Sequence, residues 1–263
     1  MSRRRGAPQV RRTRDDLGGE QVEGRRAVRE LLDAGRRRVR SVTIADLREP
    51  SPVLDELADL AAAHGIRVRR VEPERLAADA RTEAPQGVVA RADPLVPAAL
   101  DDLLAQPDAF LVSLDGVTDP QNLGAVLRTA ETAGATGAVL PRHRGALLTP
   151  AAVKAAAGAV EHLPIALVSG VPHLLERASR AGVWTVGLDA GAPASVFDLE
   201  VADRPVVLVL GAEGRGLSRL TRKRCDVVAS IPMRGRIGSL NVAAAAAVAC
   251  FEVVRRRGPR PGV

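Results

Sequence analysis

The chain has 263 residues, of which 46% are hydrophobic, 26% are charged and only 2% are aromatic, and its formal net charge is +7. This balance is typical of a globular protein. No apolar run reaches the roughly 18 residues that span a bilayer, and the arginine-rich N-terminus lacks the apolar segment of a secretory signal. We therefore expect a cytoplasmic protein. The two cysteines, Cys225 and Cys250, match no metal-ligand spacing and no disulfide framework, so the sequence predicts no metal site.

The N-terminal third of the chain predicts a small α/β unit over residues 20–92. Residues 1–19, which precede it, have no apolar periodicity and are predicted to be a disordered basic tail. Within the unit, apolar residues recur at helix and strand spacings, and glycines follow the expected helix ends. The predicted elements are a helix that contains Val22, Val28, Leu31 and Leu32 and ends near Gly35, strands at 39–45, 66–71 and 87–90, and a helix at 52–64.

A second, larger unit is predicted over residues 110–257. Residues 93–109, which contain Pro94, Pro97 and Pro107, are predicted to link the two units, and residues 258–263 to form a short tail. Strands that alternate with helices predict a mainly parallel sheet covered on both faces. The predicted strands lie at 110–114, 138–140, 165–168, 183–188, 206–210 and 227–231, and the helices at 121–133, 150–157, 172–181, 217–224 and 240–256.

The net positive charge arises from the two ends of the chain. Residues 1–14 contain six arginines, residues 255–263 contain four, and neither stretch has an acidic residue, which leaves a charge of −3 for the rest. These ends either hold a polyanion without sequence specificity or simply keep the protein soluble. Because the chain has one Trp, three Phe and no Tyr, stacking on aromatic rings cannot be the main contact with a nucleic acid.

Three segments place glycines and polar residues beside predicted strands, where α/β sheets bind ligands. In the first, residues 114–130, Asp119 and Pro120 are typical of a helix start. The buried stripe of that helix consists of Leu123, Val126, Leu127 and Ala130. Asn122 and Arg128 lie off the stripe, so they are either functional residues or ordinary solvated residues of a capped helix.

The second segment, residues 209–217, is a strand that runs into a glycine-rich turn. It matches neither a Walker loop nor the dinucleotide fingerprint. Gly211, Gly214 and Gly216 would let a ligand lie against backbone amides, whereas Glu213 would repel a pyrophosphate. The turn therefore favours a ligand that is not polyanionic, although a tight turn before an amphipathic helix explains the same pattern. Three arginines follow at helical spacing and predict one basic face: Arg215, Arg219 and Arg222.

The third segment, residues 231–243, precedes the final alanine-rich helix. Ser239 either caps that helix or takes part in catalysis, and the small residues after Asn241 permit close backbone packing. No Ser-His-Asp set, carboxylate pair or metal cluster stands out elsewhere. The residues by themselves thus indicate an α/β protein with a ligand-binding loop.

Taken in this order, the three segments resemble the signature of the SpoU (TrmH-type) RNA 2′-O-ribose methyltransferases of the SPOUT class. The matching stretches are residues 122–130, 211–217, 231–233 and 239–243, within a resemblance that covers about residues 110–257. The preceding unit is similar to the family's small ribosomal-protein-like substrate-binding domain, including the stretch at residues 86–90. The chain looks most like the bacterial 23S rRNA guanosine 2′-O-methyltransferases that act in the peptidyl-transferase region.

The resemblance implies a fold, a cofactor and a set of site residues. The fold would be a trefoil-knotted, mainly parallel α/β domain preceded by the small α/β domain, assembled as a homodimer. S-adenosylmethionine would donate the methyl group, and RNA would accept it. The residues implied to bind S-adenosylmethionine are Gly211, Gly216, Ile231, Met233 and Leu240. The residues implied to act in catalysis are Asn122, Arg128, Glu213, Ser239 and Asn241.

In the family, the residue that matches Arg128 is proposed to assist deprotonation of the ribose hydroxyl. Because a guanidinium almost always stays protonated, we expect Arg128 to act instead as an electrostatic anchor for the nucleotide phosphate or the developing alkoxide. Asn122 or Glu213 would hold its side chain, and in a dimer Arg128 would act at the partner's cofactor site. Ser239 and Asn241 would orient the ribose and shape the loop.

Other functions stay open at this point. Within the same class, the substrate could be a tRNA, or an rRNA whose methylation confers antibiotic resistance. A non-enzymatic RNA-binding factor for ribosome assembly would also have basic ends and arginine-rich faces. A nucleotide-dependent dehydrogenase is disfavoured because the dinucleotide fingerprint is absent.

Overall fold

The chain contains two β-sheets. This computed structural model describes residues 16–143, 145 and 147–258. The first sheet has four strands and the second has seven. Buried residues of both sheets, such as Val42 and Leu114, belong to one packed hydrophobic cluster. Residues 1–15 of the predicted N-terminal tail and residues 259–263 of the predicted C-terminal tail lie outside the described residues.

The four-stranded sheet belongs to the small N-terminal unit. Its elements are β1 (Gln21–Glu23), α1 (Arg25–Ala34), β2 (Val39–Ala45), α2 (Pro52–Ala63), β3 (Val68–Val71), α3 (Pro73–Asp79) and β4 (Val88–Ala92). The strand order is β1-β4-β2-β3, in which β4 is antiparallel to both neighbours and β2 is parallel to β3. Val22, Ala90 and Val42 are paired across three strands and pack with α1 and α2. On the opposite face, Leu76 of α3 packs on Ala45 and Val89.

The seven-stranded sheet is parallel throughout, so the predicted parallel sheet is confirmed. The strands are β5 (Phe110–Asp115), β6 (Gly137–Pro141), β7 (Ile165–Val168), β8 (Trp184–Leu188), β9 (Ala194–Ser195), β10 (Val206–Gly211) and β11 (Val227–Ser230). Their order in the sheet is β7-β6-β5-β10-β8-β11-β9. The helices are α4 (Leu100–Leu104), α5 (Pro120–Thr132), α6 (Pro150–Ala155), α7 (Val171–Arg180), α8 (Arg219–Arg224) and α9 (Val242–Arg257).

Three stretches differ from the sequence predictions. Val22 lies in β1 and not in the first helix, because Gly24 with φ of 96° separates the strand from α1. Residues 16–19 of the predicted tail are packed, since Leu17 is buried and the Gly19 amide donates to the Leu148 carbonyl over 2.9 Å. The predicted linker 93–109 contains α4, whose apolar side is buried. Within the described residues, no helix is both long and apolar enough to cross a membrane.

A buried ion pair joins the two units. Arg37, which follows α1, donates to both carboxylate oxygens of Glu161 over 2.9 and 2.6 Å. Glu161 belongs to a short 3₁₀ turn of the large unit and its side chain is only 1% exposed, against 6% for Arg37. The same guanidinium donates to the carbonyls of Gly19 and Asp93. Lys154 of α6 makes a second contact, since its ammonium group donates to the Ala84 carbonyl of the small unit.

Candidate active site

The carboxyl ends of β8, β10 and β11 meet at a pocket of about 330 Å³. Parallel α/β sheets commonly bind ligands at this edge, and the volume is within the range of small-molecule sites. Apolar side chains, among them Leu188 and Leu210, form part of the lining. All five residues predicted to bind the cofactor line this one pocket: Gly211, Gly216, Ile231, Met233 and Leu240.

Two glycines let the turn after β10 pack closely on itself and on Asp189. A Cβ atom on Gly211 would lie 2.3 Å from the carbonyl carbon of Gly216, so no other residue fits there. Gly216 has φ of 64°, and a Cβ on it would lie 2.9 Å from Oδ2 of Asp189. Paired hydrogen bonds between Ala212 and Gly216 close the turn between them. The predicted glycine-rich turn therefore exists, and it places bare backbone beside the pocket.

Three of the predicted catalytic residues form one hydrogen-bonded group beside the pocket. Oε1 of Glu213 accepts from the side-chain amides of Asn122 over 3.0 Å and of Asn241 over 2.6 Å. The Asn241 amide also donates to Oδ1 of Asn122 over 2.9 Å. These contacts connect the first turn of α5, the glycine-rich turn and the start of α9. Glu213 also accepts from the Val242 amide, at the positive end of the α9 dipole, a favourable position for a carboxylate.

The caps of α5 and α9 fix the ends of this group. Asp119 accepts from the amides of Gln121 and Asn122, so the predicted cap of α5 is confirmed. The expectation that Ser239 caps the last helix is wrong, because the cap is Asn241, whose Oδ1 accepts from the Ala243 amide over 2.8 Å. Ser239 is exposed and lines the pocket. Asn241 can fill both roles because its carbonyl oxygen caps the helix and its amide group reaches Glu213.

Arg128 lies away from the other predicted catalytic residues. Within the described part of one chain, neither Asn122 nor Glu213 holds its side chain, and those two residues bind each other and Asn241 instead. Six residues separate Arg128 from Asn122, which at 3.6 residues per turn places the two on different sides of α5. Arg128 is exposed, does not line the pocket, and has no hydrogen-bond or ion-pair partner among the described residues.

The sequence interpretation missed Asp189, an acidic residue of the pocket. It follows β8 directly, and its side chain is 12% exposed. Oδ1 of Asp189 accepts from the Gly191 amide and from the Arg222 guanidinium, each over 3.0 Å. Its position one residue beyond a buried strand is the signal that could have revealed it. The predicted basic face is only partly formed, because α8 begins at Arg219, which leaves Arg215 in the turn, and Arg222 is paired.

The two thiols are poor candidates for nucleophiles. Burial raises the pKa of Cys225 to about 12, with smaller contributions from the charges of Asp226 and Asp115. Burial alone raises the pKa of Cys250 to about 12. Since the thiolate is the reactive form, neither side chain is poised for attack at neutral pH, and neither lines the pocket.

The charges of the pocket fit a cationic ligand with apolar parts. Asp189 and Glu213 line it, and no arginine or lysine among the described residues does so. A pyrophosphate would lack a counter-charge here, whereas a sulfonium or ammonium group would be attracted. The apolar walls and the exposed backbone of Gly211 suit a nucleoside with its planar base. The residues present therefore fit S-adenosylmethionine.

Comparisons with known proteins agree with this chemistry. Residues 109–251 match the SpoU rRNA Methylase family. The chain belongs to this family. Residues 21–98 match a second family, described as RNA 2′-O ribose methyltransferase substrate binding. The small unit of this SpoU protein thus corresponds to a substrate-binding domain, as the resemblance implied.

Individual relatives align over almost the whole chain. The 23S rRNA (guanosine-2′-O-)-methyltransferase RlmB of Pseudomonas putida is 39% identical over 244 residues, which cover 90% of this chain and 97% of that protein. Among solved structures, the SpoU methyltransferase AviRb from Streptomyces viridochromogenes, in complex with the cofactor AdoMet (S-adenosylmethionine), is 30% identical with a TM-score of 0.75 and covers 90% of both chains. The AdoMet-bound rRNA methyltransferase from Sinorhizobium meliloti is 29% identical with a TM-score of 0.74, over 90% of this chain and 87% of its own.

These matches confirm the predicted class of the SpoU chain. It is an RNA 2′-O-ribose methyltransferase that uses S-adenosylmethionine. The predicted SpoU fold, with its mostly parallel sheet and preceding small α/β unit, is confirmed as well. The roles of the individual site residues stay predictions.

Proposed function

We propose that this chain methylates the ribose 2′-oxygen of a guanosine in the peptidyl-transferase region of 23S rRNA. The observation that carries the proposal is the pocket at the carboxyl ends of β8, β10 and β11, with its bare glycine backbone and acidic lining. The relatives named 23S rRNA (guanosine-2′-O-)-methyltransferase support the choice of base and RNA. An rRNA substrate implies work in the cytoplasm.

The pocket residues would bind and orient the methyl donor. Gly211 and Gly216 would place backbone against it, and Ile231, Met233 and Leu240 would exclude water from its apolar side. S-adenosylmethionine supplies a methyl group bonded to a sulfonium sulfur, and transfer forms the bond from the ribose 2′-oxygen to the methyl carbon as the carbon–sulfur bond breaks and the hydroxyl proton is released. Because the donor is already activated, holding the acceptor in line supplies much of the acceleration.

The Asn122, Glu213 and Asn241 group would hold the reacting geometry. It connects three segments that are far apart in the chain, and its hydrogen bonds keep the glycine-rich turn against the start of α9. Ser239 is exposed at the pocket, where its hydroxyl group could contact the ribose. These residues would thus orient the acceptor.

Arg128 would stabilise the negative charge that develops on the acceptor. Its guanidinium has no partner within the described chain, so it can bind a phosphate or an alkoxide. Because it does not line its own pocket, we place it at the pocket of a second copy.

A homodimer would provide that second copy. Residues 242–251 of α9 are all apolar, and Ala244 and Phe251 among them are exposed. Helix α9 packs against α5, which carries Arg128. A helix apolar on every side is ordinarily buried, so this surface is the proposed dimer contact. The trefoil knot of the large unit, implied by the family resemblance, belongs to the same proposal.

Methyl transfer to defined RNAs tests the function. The protein would be incubated with radiolabelled S-adenosylmethionine and unmodified 23S rRNA, with 16S rRNA and tRNA as controls, and the alkali-resistant riboses mapped. Label at one guanosine of the peptidyl-transferase region is the expected result. Label in tRNA or at another rRNA nucleotide would overturn the substrate. Absence of label from every RNA, despite bound cofactor, would favour the binding-only alternative.

Mixed dimers test the role of Arg128. Arg128→Ala should abolish transfer and leave cofactor affinity nearly unchanged, and Gly211→Ala should lose cofactor binding. Mixing the two inactive variants should restore roughly a quarter of wild-type activity, because half of the dimers are then mixed and each contains one complete site. If Arg128 served its own subunit, the mixture would stay inactive. Normal turnover by Arg128→Ala would refute the role altogether.

A further inference from the structure

One solvent-exposed region of the four-stranded sheet has no role in the proposed function. Register places Arg91 of β4 opposite Ser41 of β2, and Arg69 of β3 opposite Thr43 of β2. Alternation along the strands turns these side chains away from the core, because their neighbours Val42 and Ala90 are fully buried on the other face. We call this region the arginine face, defined by Ser41, Thr43, Arg67, Arg69 and Arg91.

The three arginines of this face have uncompensated charge. Arg67, Arg69 and Arg91 are exposed, and their side chains make no hydrogen bond or ion pair with any described residue. Three other arginines of the small unit are paired with acids. Arg29 binds Glu56, Arg40 binds Asp93 and Arg70 binds Asp55. These pairs provide a matched set of neutralised arginines for comparison with the arginine face.

The spacing of the arginine face suits an extended anion. Strands β3 and β4 lie on either side of β2, and Arg69 and Arg91 lie opposite residues of β2 that are two positions apart, so their backbones are about 12 Å apart. The hydroxyl groups of Ser41 and Thr43 lie between them and can donate to phosphate oxygens. Helix α3 packs on Ala45 and on Val89, the register partner of Thr43, so it covers this sheet face up to the row of Thr43 and leaves the row of Ser41 and Arg91 open.

We infer that the arginine face docks the phosphate backbone of the substrate RNA, an inference that rests on the proposed function. The unit from residue 20 to 109 contains no Phe, Trp or Tyr, so it cannot stack bases as aromatic sheet surfaces do. Guanidinium groups make bidentate contacts with phosphates, and such contacts set position and register without reading sequence. The small unit therefore positions the RNA, and the pocket in the large unit selects the ribose.

The competing explanation is protection of a sheet edge. Strand β3 is at the edge of the sheet, and charged residues on edge strands discourage pairing with other chains. This explanation accounts for Arg67 and Arg69 but not for Arg91, which is on the interior strand β4. It predicts aggregation after charge removal and no change in RNA affinity.

Filter binding of a 23S rRNA transcript across a potassium chloride series tests the inference. The variant Arg67→Gln/Arg69→Gln/Arg91→Gln is compared with Arg29→Gln/Arg40→Gln/Arg70→Gln, which removes the same formal charge from paired arginines. The first variant should bind at least tenfold more weakly, and its salt slope should flatten by about 0.7–0.9 for each phosphate that the protein no longer neutralises. The second should stay close to the wild type, and melting curves verify that both are folded.

Each outcome has a distinct meaning. Equal RNA affinity and equal salt slope for the two variants would overturn the arginine face. Weaker binding without a change in salt slope would also overturn it, because phosphate contacts require counterion release. If the wild-type protein binds rRNA through this face but methylates no RNA, the proposed function fails and the arginine face stands. If the wild-type protein methylates the RNA normally while the variant of the arginine face binds RNA like the wild type, the arginine face is refuted and the proposed function stands.

Discussion

Removal of the buried carboxylate at Glu161 tests how firmly the two units are joined. Glu161→Gln keeps the size of the side chain but leaves the Arg37 guanidinium without a counter-charge at a site where the two side chains are 6% and 1% exposed. Breaking a buried ion pair by removing one partner costs about 3–5 kcal/mol of unfolding free energy. For a protein of this size that corresponds to a fall in melting temperature of roughly 6–20 °C.

Calorimetry or thermal unfolding followed by circular dichroism measures this destabilisation. The matched control is Glu56→Gln, which breaks the Arg29 pair, where the side chains are 40% and 62% exposed. Exposed pairs contribute at most about 1 kcal/mol, so the control should melt close to the wild type. The double variant Arg37→Met/Glu161→Leu should lose less unfolding free energy than the two single substitutions lose together, because it leaves no unpaired buried charge.

Glu161→Gln should also weaken the use of the RNA substrate. The pair fixes the small unit to the 3₁₀ turn of the large unit, and neither Arg37 nor Glu161 lines the pocket. Glu161→Gln is therefore expected to raise KM for rRNA while the affinity for S-adenosylmethionine stays unchanged. If Glu161→Gln and Glu56→Gln destabilised the protein equally, the argument from burial would be refuted. A weaker affinity for the cofactor would contradict the assigned separation of the two sites.

Two further predictions concern the large unit. Gly211→Ala should reduce S-adenosylmethionine affinity at least tenfold in a titration, because the added Cβ would collide with the Gly216 backbone and distort the turn that lines the pocket. Gly238→Ala, in open space on the same pocket, should bind normally. Equal affinities for the two variants would contradict the idea that the tight Gly211–Gly216 turn shapes the cofactor site. The raised pKa values of Cys225 and Cys250 should keep both thiols unreactive toward iodoacetamide at pH 8 until the protein is unfolded. The free energy of unfolding should fall as the pH rises above 9, because the thiols ionise in the unfolded chain before they do so in the folded protein. Rapid labelling of the folded protein would contradict this, because it would show that the thiols are accessible and ionise readily.

The regular elements of the large unit were predictable because their periodicity is strong. The buried stripe of α5 and the cap at Asp119 follow from local pattern alone. The short elements were not predictable in the same way. Strand β1 has three residues and ends at Gly24, and α3 has seven residues within a charged stretch that carries no clear helical signal.

The candidate site shows the same division between local and long-range information. The glycine-rich turn was predictable, since Gly211 and Gly216 are dictated by local backbone conformation. The choice of Asn241 over Ser239 as helix cap was not, because both residue types cap well and tertiary contacts decide between them. Those contacts join Asn241 to Asn122, which is 119 positions away. No spacing rule predicts such a contact, and the same limit applies to the isolation of Arg128.

The methyl donor and the RNA that accepts the methyl group carry opposite charges. This difference explains why the chain has many arginines but none in the described lining of the pocket. The donor carries a sulfonium, so Glu213 in the lining attracts it, whereas the charge of Asp189 is balanced by Arg222, which does not itself line the pocket. The RNA is a polyanion, so Arg128 and the arginine face, which have no acidic partner in the described chain, are suited to contact its backbone. Exposed charges are screened beyond about 10 Å at 0.1 M salt. Rising ionic strength should therefore weaken RNA binding steeply while the affinity for S-adenosylmethionine changes little, and this contrast follows from the placement of charge in the fold.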